Sequence, residues 1–184
     1  MRQLAITTYG MNILRKKTKP VKDIDDSVVN LVRDMFYTMD KASGIGLAAP
    51  QVNLELSLAV IDLSGIEEHK GDKPLVLINP EVIDSHGLVT MEEGCLSIPD
   101  VRAEVERPEE IHLRFYDFDM KEVDLELNGF KARVAMHEID HLNGKLFIDY
   151  LSEDIKKVLK KDLQLIKKGK VETDYPLLIN SETA

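Results

Sequence analysis

Two histidines and a glutamate lie within one helical turn and could bind and use a metal ion. They belong to the run Met136-His137-Glu138-Ile139-Asp140-His141. Because residues four apart lie on one face of a helix, His137 and His141 can bind the same ion. Glu138 is not needed as a ligand and is free to move protons on a metal-activated water. The pattern indicates metal-assisted hydrolysis, although two packed or exposed histidines are the simpler alternative.

This run does not identify the third protein ligand of the metal. Hydrolases with the His-Glu-x-x-His motif use a third protein ligand. Glu153 and Asp154 follow the motif, whereas Cys95 lies upstream in the segment 92–97. A thiolate is a strong ligand for a borderline metal, and the adjacent Gly94 would let the backbone come close. A single cysteine is also often a small buried apolar residue, or a nucleophile, and both readings stay open.

A glycine-rich segment is the third candidate feature, with the sequence Gly44-Ile45-Gly46-Leu47-Ala48-Ala49-Pro50-Gln51. It lacks the Lys-Ser/Thr ending of a phosphate-binding loop and the third glycine of a dinucleotide fingerprint. One interpretation is a tight turn before a strand. The other is a loop whose glycines expose backbone groups to an extended ligand while Gln51 projects an amide donor into a cleft.

The elements that must position these residues follow an α+β pattern. Helical spacing and terminal signals predict helices over residues 23–41, 129–142 and 153–168, with Asn128 as the cap of the second. Strands are predicted at 56–63, 75–78, 81–83, 102–105, 111–116 and 122–127. We therefore expect short antiparallel strands packed around a central metal-binding helix, followed by a C-terminal helix. A single catalytic domain is expected over residues 1–170, with a C-terminal tail over 171–184.

Composition excludes several classes of protein. The chain has 184 residues, 43% of them hydrophobic, and a formal net charge of −9. This acidity argues against a DNA-binding or membrane-surface protein, and no apolar stretch approaches the length of a membrane span. Cys95 is the only cysteine, so an internal disulfide is impossible. We expect a cytoplasmic location.

Taken together, the three segments resemble the peptide deformylase family. Its signatures are a Gly-x-Gly-Leu-Ala-Ala-x-Gln loop, a Glu-Gly-Cys-Leu-Ser loop and a His-Glu-x-x-His helix, and this chain has all three in that order at 44–51, 93–97 and 137–141. The resemblance covers about residues 1–165. One departure is Met136, which stands where the family usually has glutamine; no ligand is lost by it.

The resemblance implies a role for each motif residue. Cys95, His137 and His141 would bind one divalent metal, with Fe²⁺ as the native ion and Zn²⁺, Ni²⁺ or Co²⁺ as substitutes. Glu138 would take the proton of the attacking water and pass it to the departing amine. Gln51 and the Leu96 backbone N–H would stabilise the oxyanion.

The resemblance also implies the substrate, which is the N-formylmethionyl end of a nascent polypeptide, with formate as a product. Ile45 and Gly46 would pair with the peptide backbone as an added strand. The remaining residues that we expect to contact substrate are Met91, Glu93, Arg102, Phe130 and Val134. An apolar pocket for methionine is expected from Ile45, Met91, Phe130, Val134 and His137.

The last predicted helix contrasts with the acidic remainder of the chain. Residues 153–170 contain seven lysines against three acids. A solvated helix face is one interpretation. The other is contact with ribosomal RNA through Lys156–Lys170, as in some members of the family, which would weaken steeply with salt.

Two other functions are compatible with parts of this pattern. A general metallopeptidase would share the His-Glu-x-x-His helix but not the cysteine loop, and it would cleave internal peptide bonds. A zinc-stabilised binding module would need a fourth protein ligand to close the site, and a second cysteine is absent.

Overall fold

The structure is a computed structural model that describes residues 1–179. At its centre, a five-stranded antiparallel sheet lies between two of the three helices. The helices are α1 (Asp26–Lys41), α2 (Gly129–Leu142) and α3 (Glu153–Lys167). The strands are β1 (Ile6–Thr7), β2 (Gly46–Ala48), β3 (Leu58–Ile61), β4 (Leu75–His86), β5 (Val89–Cys95), β6 (Ile98–Arg107), β7 (Glu110–Tyr116), β8 (Glu122–Asn128) and β9 (Leu177–Leu178). The central sheet has the order β2-β3-β4-β7-β8.

Side-chain alternation places the two helices on opposite faces of this sheet. In β3, Leu58 and Val60 pack with α1, whereas Ala59 and Ile61 pack with α2. Successive side chains of a strand point to opposite faces, so a continuously apolar strand is buried on both sides. All four residues of β3 are buried, which is why this strand lies at the interior of a three-layer arrangement.

The other side of α2 faces a hairpin formed by β5 and β6. These strands pair antiparallel from Val89↔Arg107 to Gly94↔Arg102, and a register shift follows at Cys95. Buried residues of β6 pack with α3 and with the turn after α2. Helix α2 is therefore enclosed between the sheet and the hairpin, which confirms the predicted α+β class with a central helix and a C-terminal helix.

Several boundaries differ from the prediction. Helix α1 begins at Asp26, because the side chain of Asp25 accepts a hydrogen bond from the backbone of Val28 at 3.0 Å and caps the helix. Strand β4 runs through residues 79–80, where the sequence predicted a break between two strands. Strand β5 was not predicted, and β6 extends beyond the expected 102–105 on both sides. Asn128 is at the N-cap of α2, but its side chain makes no capping hydrogen bond.

Part of the expected tail packs against the beginning of the chain. Strand β9 pairs parallel to β1, with Ile6 opposite Leu177 and Thr7 opposite Leu178. The other strand pairs within residues 1–179 are antiparallel, and one isolated parallel bridge joins Lys19 to Leu56. Residues 180–184 of the expected tail lie outside the described residues. Among residues 1–179, no helix combines the length and the apolar character that crossing a membrane requires.

Candidate metal centre

The fold brings together the three side chains that the sequence singled out as metal ligands. Cys95 ends strand β5, and His137 and His141 lie one turn apart on α2. Cys95 Sγ lies 3.2 Å from His141 Nε2, and one ligand atom from each of the three residues lies within 4.8 Å of the others. Among residues 1–179 this is the one group of its kind. The arrangement could hold a metal ion.

The chemistry of these donors fits a divalent transition metal. One thiolate and two imidazoles form a set that suits a borderline ion such as Zn²⁺ or Fe²⁺. Burial lowers the pKa of His141 well below its usual value, and the nearby His137 and Arg107 lower it further. A neutral imidazole is the form that binds a metal. His137 Nδ1 lies 2.9 Å from Glu93 Oε2, so a proton on Nδ1 leaves Nε2 available for the metal.

Glu138 lies beside these ligands as a buried carboxyl group. Its side chain is almost inaccessible, and Oε2 has no hydrogen-bond partner among the described residues. Burial raises the pKa of Glu138 to about 7, with the charge of Glu93 adding to the rise and His137 opposing it. A carboxyl group with such a pKa can both accept and release a proton near neutral pH.

Gly46 of β2 leaves the space that the Glu138 carboxylate occupies. A Cβ atom at position 46 would lie 2.8 Å from Glu138 Cδ and would also collide with its Oε1. Real Cβ atoms do not approach other atoms that closely. Glycine at this position is therefore required by the location of Glu138, a reason that the sequence alone did not reveal.

A buried group of charged residues supports the centre from behind. Glu93 accepts hydrogen bonds from Arg107 Nη2 at 3.0 Å and from Arg133 Nη1 at 2.8 Å, in addition to its contact with His137. Burial alone would raise the pKa of Glu93, but hydrogen bonds from His137 and Arg107 outweigh it and lower the pKa. Glu93 therefore stays ionised and orients the His137 ring.

Arg107 links this group to the far end of α2. It donates to Asp140 Oδ2 at 2.6 Å, and its guanidinium lies 4.8 Å from the centre of the Tyr150 ring. The Tyr150 hydroxyl donates to the other oxygen of Asp140 at 3.0 Å. Arg107, Arg133 and Tyr150 were not predicted from the sequence. The only local signal is that Arg133 and Asp140 lie one turn before and one turn after His137 on α2.

Gln51 is held in place beside Cys95. Its Oε1 accepts a hydrogen bond from the Ala48 backbone at 2.8 Å, which turns Nε2 toward Cys95 Sγ at 3.5 Å and Ser97 Oγ at 3.4 Å. The side chain is buried in the short 3₁₀ turn Ala49–Val52. The amide donor of Gln51 therefore points to Cys95.

A cleft of about 820 Å³ opens over the centre. Such a volume suits a peptide-sized ligand. Met91 is not among the residues that line it, and it lies on β5 opposite Val105. The cleft is lined by the other residues expected to contact substrate, and by a part of the C-terminal segment: Ile45, Gly46, Gln51, Glu93, Cys95, Leu96, Arg102, Phe130, Val134, His137, Glu138 and residues 172–175.

Comparisons with known proteins agree with this geometry. A family model described as polypeptide deformylase matches residues 3–157. The chain is 45% identical to a peptide deformylase of Chlorobium phaeovibrioides over 95% of this chain and 92% of the relative, and 46% identical to one of Chlorobaculum parvum over 95% and 93%. A crystal structure of a peptide deformylase from Legionella pneumophila superposes with a TM-score of 0.83 at 38% identity, covering 92% of this chain and 98% of that chain. The chain therefore belongs to the polypeptide deformylase family of hydrolases.

Proposed function

We propose that this chain removes the N-formyl group from the N-terminal formylmethionine of nascent polypeptides and releases formate. The observation that carries the proposal is the position of Glu138. Its buried carboxyl group, with a pKa of about 7, lines a cleft of about 820 Å³, and Glu138 follows His137 of the Cys-His-His group directly on α2. A hydrolase needs a proton carrier at that point.

Cys95, His137 and His141 would hold the metal. Fe²⁺ is the proposed native ion, and Zn²⁺, Ni²⁺ or Co²⁺ are the proposed substitutes, since a thiolate and two imidazoles accept all of them. When bound, such an ion supplies Lewis acidity, which acidifies water and polarises a carbonyl group. Glu93 orients His137 through the contact between its Oε2 and Nδ1 at 2.9 Å.

Glu138 carries the proton. It accepts a proton from the attacking water and later donates it to the amine that leaves when the C–N bond of the formamide breaks. Burial favours the neutral carboxylic acid after the first transfer. Gly46 allows the carboxylate to stay close to the centre of the cleft, because a larger residue would displace it.

Two donors would stabilise the negative charge that develops on the formyl oxygen. They are the Gln51 side-chain amide, which already points to Cys95, and the backbone N–H of Leu96, the next residue. Preorganised donors of this kind need no rearrangement during the reaction. Losing one of them typically lowers the rate by about 10²–10³.

The peptide would bind along the edge of the central sheet. Strand β2 is the outermost strand of the order β2-β3-β4-β7-β8, so an extended peptide can pair with Ile45 and Gly46. The methionine side chain would contact Ile45, Phe130, Val134 and His137, which line the cleft. Met91 does not line the cleft, so the proposed pocket rests on the other four. Arg102 lies at the rim, 3.5 Å from Glu92, where it would contact the peptide beyond the methionine.

Formate release from formyl-Met-Ala-Ser by metal-loaded protein tests the reaction. Glu138→Ala should keep its metal, measured by elemental analysis, while turnover falls by more than about 10² because the proton carrier is lost. Glu104→Ala is the matched control, since Glu104 is an exposed acid on β6 that does not line the cleft. Unimpaired turnover of Glu138→Ala would remove the assigned role. Cleavage of internal peptide bonds without formate release would favour the metallopeptidase.

Cys95→Ser tests the ligand set. Replacing the thiolate by a hydroxyl should reduce the metal retained after dialysis, because a neutral alcohol is a weak ligand for these ions. Protein loaded with iron should also lose activity in air faster than protein loaded with Ni²⁺, since both Fe²⁺ and thiolate are oxidisable. Equal metal content in Cys95→Ser and wild type would contradict the proposed ligand set.

A second proposal concerns contact with the ribosome through Lys156–Lys170 in the cytoplasm. Helix α3 buries Leu163 and Ile166 against the body of the protein and exposes Lys157, Lys160 and Lys161 on its outer face. Val158 is 78% exposed on the same helix. Lysines on an outer face could contact RNA phosphates.

Co-sedimentation with ribosomes tests this contact. Replacing Lys157, Lys160 and Lys161 together by glutamine should reduce binding and flatten its dependence on salt. Replacing the exposed Lys17, Lys22 and Lys73 by glutamine changes the net charge equally and should leave binding unchanged. Equal binding of the two triple variants would contradict the proposal. Substitution is preferable to truncation, because truncation would expose the apolar surface that α3 covers.

A further inference from the structure

The turn between β5 and β6 carries both Cys95 and the backbone N–H of Leu96. Cys95 pairs with Ile98 across the turn, but the ladder shifts register between Gly94 and Cys95, so regular pairing is interrupted just before the turn. Contacts from outside the hairpin add to this single pair. Leu96 and Ser97 are the two central residues of the turn.

Three remote parts of the chain hold this turn. Gln51 Nε2 lies 3.4 Å from Ser97 Oγ, and the Tyr9 backbone N–H donates to the Ser97 carbonyl at 2.8 Å. The third contact comes from the C-terminal segment, where the Tyr175 hydroxyl donates to the Leu96 carbonyl at 2.9 Å. Each of the two central carbonyl groups of the turn thus has one donor.

Tyr9 and Tyr175 are themselves fixed by the pairing of β1 with β9. Two backbone hydrogen bonds join these segments: the Thr8 N–H donates to the Leu178 carbonyl at 3.1 Å, and the Ile6 N–H donates to the Pro176 carbonyl at 2.8 Å. The two tyrosines flank this short parallel pair. Residues 6–9 and 175–178 together therefore restrain the Leu96-Ser97 turn.

Tyr175 faces the cleft as well as the turn. Residues 172–175 form part of the cleft wall. Burial raises the pKa of Tyr175 to about 12, and the nearby Cys95 and Asp100 contribute to the rise. The hydroxyl group therefore remains protonated and able to donate across the neutral range.

We propose that Tyr175 is a positioning residue for the deformylase reaction: its hydroxyl holds the Leu96 carbonyl and thereby keeps the adjacent Leu96 N–H directed at the formyl oxygen. The inference rests on the proposed oxyanion role of Leu96. The Leu96 carbonyl lies in the peptide plane that joins Leu96 to Ser97, whereas the Leu96 N–H lies in the preceding plane. The two planes meet at the Leu96 Cα, so fixing the carbonyl limits the backbone torsions of Leu96 and with them the rotation that would turn the N–H away. Among residues 1–179 the Tyr175 hydroxyl makes no described hydrogen bond to a proposed metal ligand, and its proposed role is to act on the reacting atoms only through Leu96.

Tyr175→Phe tests the proposal, because it removes the hydroxyl and keeps the ring. Misplacing one donor without deleting it should lower kcat for formyl-Met-Ala-Ser by about tenfold. KM, inhibition by the product Met-Ala-Ser and metal content should stay within about twofold, since these do not depend on the oxyanion donor. Tyr37→Phe on α1 is the matched control, because among residues 1–179 the Tyr37 hydroxyl makes no described hydrogen bond and Tyr37 does not line the cleft.

Hydrogen–deuterium exchange of the peptide that contains residues 95–98 supplies a readout independent of turnover. It should be faster in Tyr175→Phe than in wild type or Tyr37→Phe, in both metal-free and metal-loaded protein. Unchanged kcat, unchanged exchange, or a loss of kcat that follows a loss of metal would overturn the proposal. If wild-type protein releases no formate while Tyr175→Phe still exchanges faster, the proposed function fails and the restraint on the turn stands.

Discussion

Two groups of ion pairs in this chain use the same types of side chain in opposite surroundings. Behind the metal centre, Arg107 and Glu93 have side chains only 1% and 5% exposed. On α3, Lys156 and Glu153 are 36% and 80% exposed and 3.1 Å apart, whereas Arg107 Nε and Glu93 Oε1 are 2.5 Å apart. A short distance does not by itself mark the buried group, since the solvent-exposed Arg15 and Asp149 are also 2.5 Å apart. Burial distinguishes the two groups.

The difference determines what each group can do. When an exposed ion pair separates, water replaces the lost hydrogen bonds, and salt screens the attraction between the two charges. A buried carboxylate has no such replacement, so Glu93 depends on Arg107, Arg133 and His137 together. That dependence makes Glu93 a rigid support for His137, whereas the α3 pairs leave their lysines available for other contacts.

The largest effect is expected from Arg107→Met. This change leaves Asp140 without its guanidinium partner and Glu93 with fewer donors in a buried environment, so the free energy of unfolding should fall by about 3–5 kcal/mol. Urea unfolding of metal-free protein measures it. Lys156→Met on α3 is the control and should cost no more than about 1 kcal/mol. Equal costs for the two variants would show that burial does not separate the two groups.

Gly46→Ala should have the next largest effect, on turnover. The added Cβ would collide with the Glu138 carboxylate, and a displacement of about 1 Å at a reacting group can lower the rate by about 10². Gly65→Ala is the control, because nothing lies within 4 Å of a Cβ at that position. Steady-state formate release by the two variants decides the point. Normal turnover of Gly46→Ala would mean that Glu138 has room to move.

Glu93→Gln is expected to weaken metal binding rather than turnover chemistry. A neutral amide cannot orient and polarise the His137 ring as a carboxylate does, so metal affinity should fall by about 10–100-fold. The matched control is Glu92→Gln, the preceding residue of β5, whose side chain is 61% exposed. Competition with a chelator measures both variants. Similar metal affinities for the two variants would show that Glu93 does not support metal binding.

The smallest effect is expected from Glu153→Gln. Its partner Lys156 is one turn away on an exposed face, so unfolding free energy should fall by no more than about 0.5 kcal/mol at low salt. The difference from wild type should disappear in about 1 M salt, where the screening length is short. Thermal or urea unfolding at two salt concentrations gives the result. A cost that persists at high salt would indicate that this pair is not solvent-screened.

Local spacing was sufficient to predict the helices of the site. Helix α2 runs from Gly129 to Leu142 as expected, because the apolar stripe and the Asn143-Gly144 stop depend on neighbours in the sequence. The same is true of the two histidines, which are one turn apart. Helix α1 differed only at its beginning, where Asp25 rather than an earlier residue provides the cap.

The strands were harder to predict, for reasons that specific residues show. Strand β5 contains two adjacent glutamates and a glycine, types that are depleted in strands, and the burial of Glu93 depends on arginines 14 and 40 residues away. Strand β4 continues through Asn79-Pro80, where its pairing with β7 shifts register between Ile78 and Glu81. The Asn79 side chain accepts a hydrogen bond from the Val21 N–H and donates one to the Val21 carbonyl, each at 2.8 Å. Neither interaction has a local signal.

The pairing of β1 with β9 also determines when this site can become complete during synthesis. Thr8 and its partner Leu178 are separated by 170 residues, so the first strand is made long before the last one can meet it. The segments that carry Gln51, Cys95 and His141 all leave the ribosome before Tyr175 does. A nascent copy of this chain can therefore assemble its metal ligands before it acquires the contact that fixes Leu96.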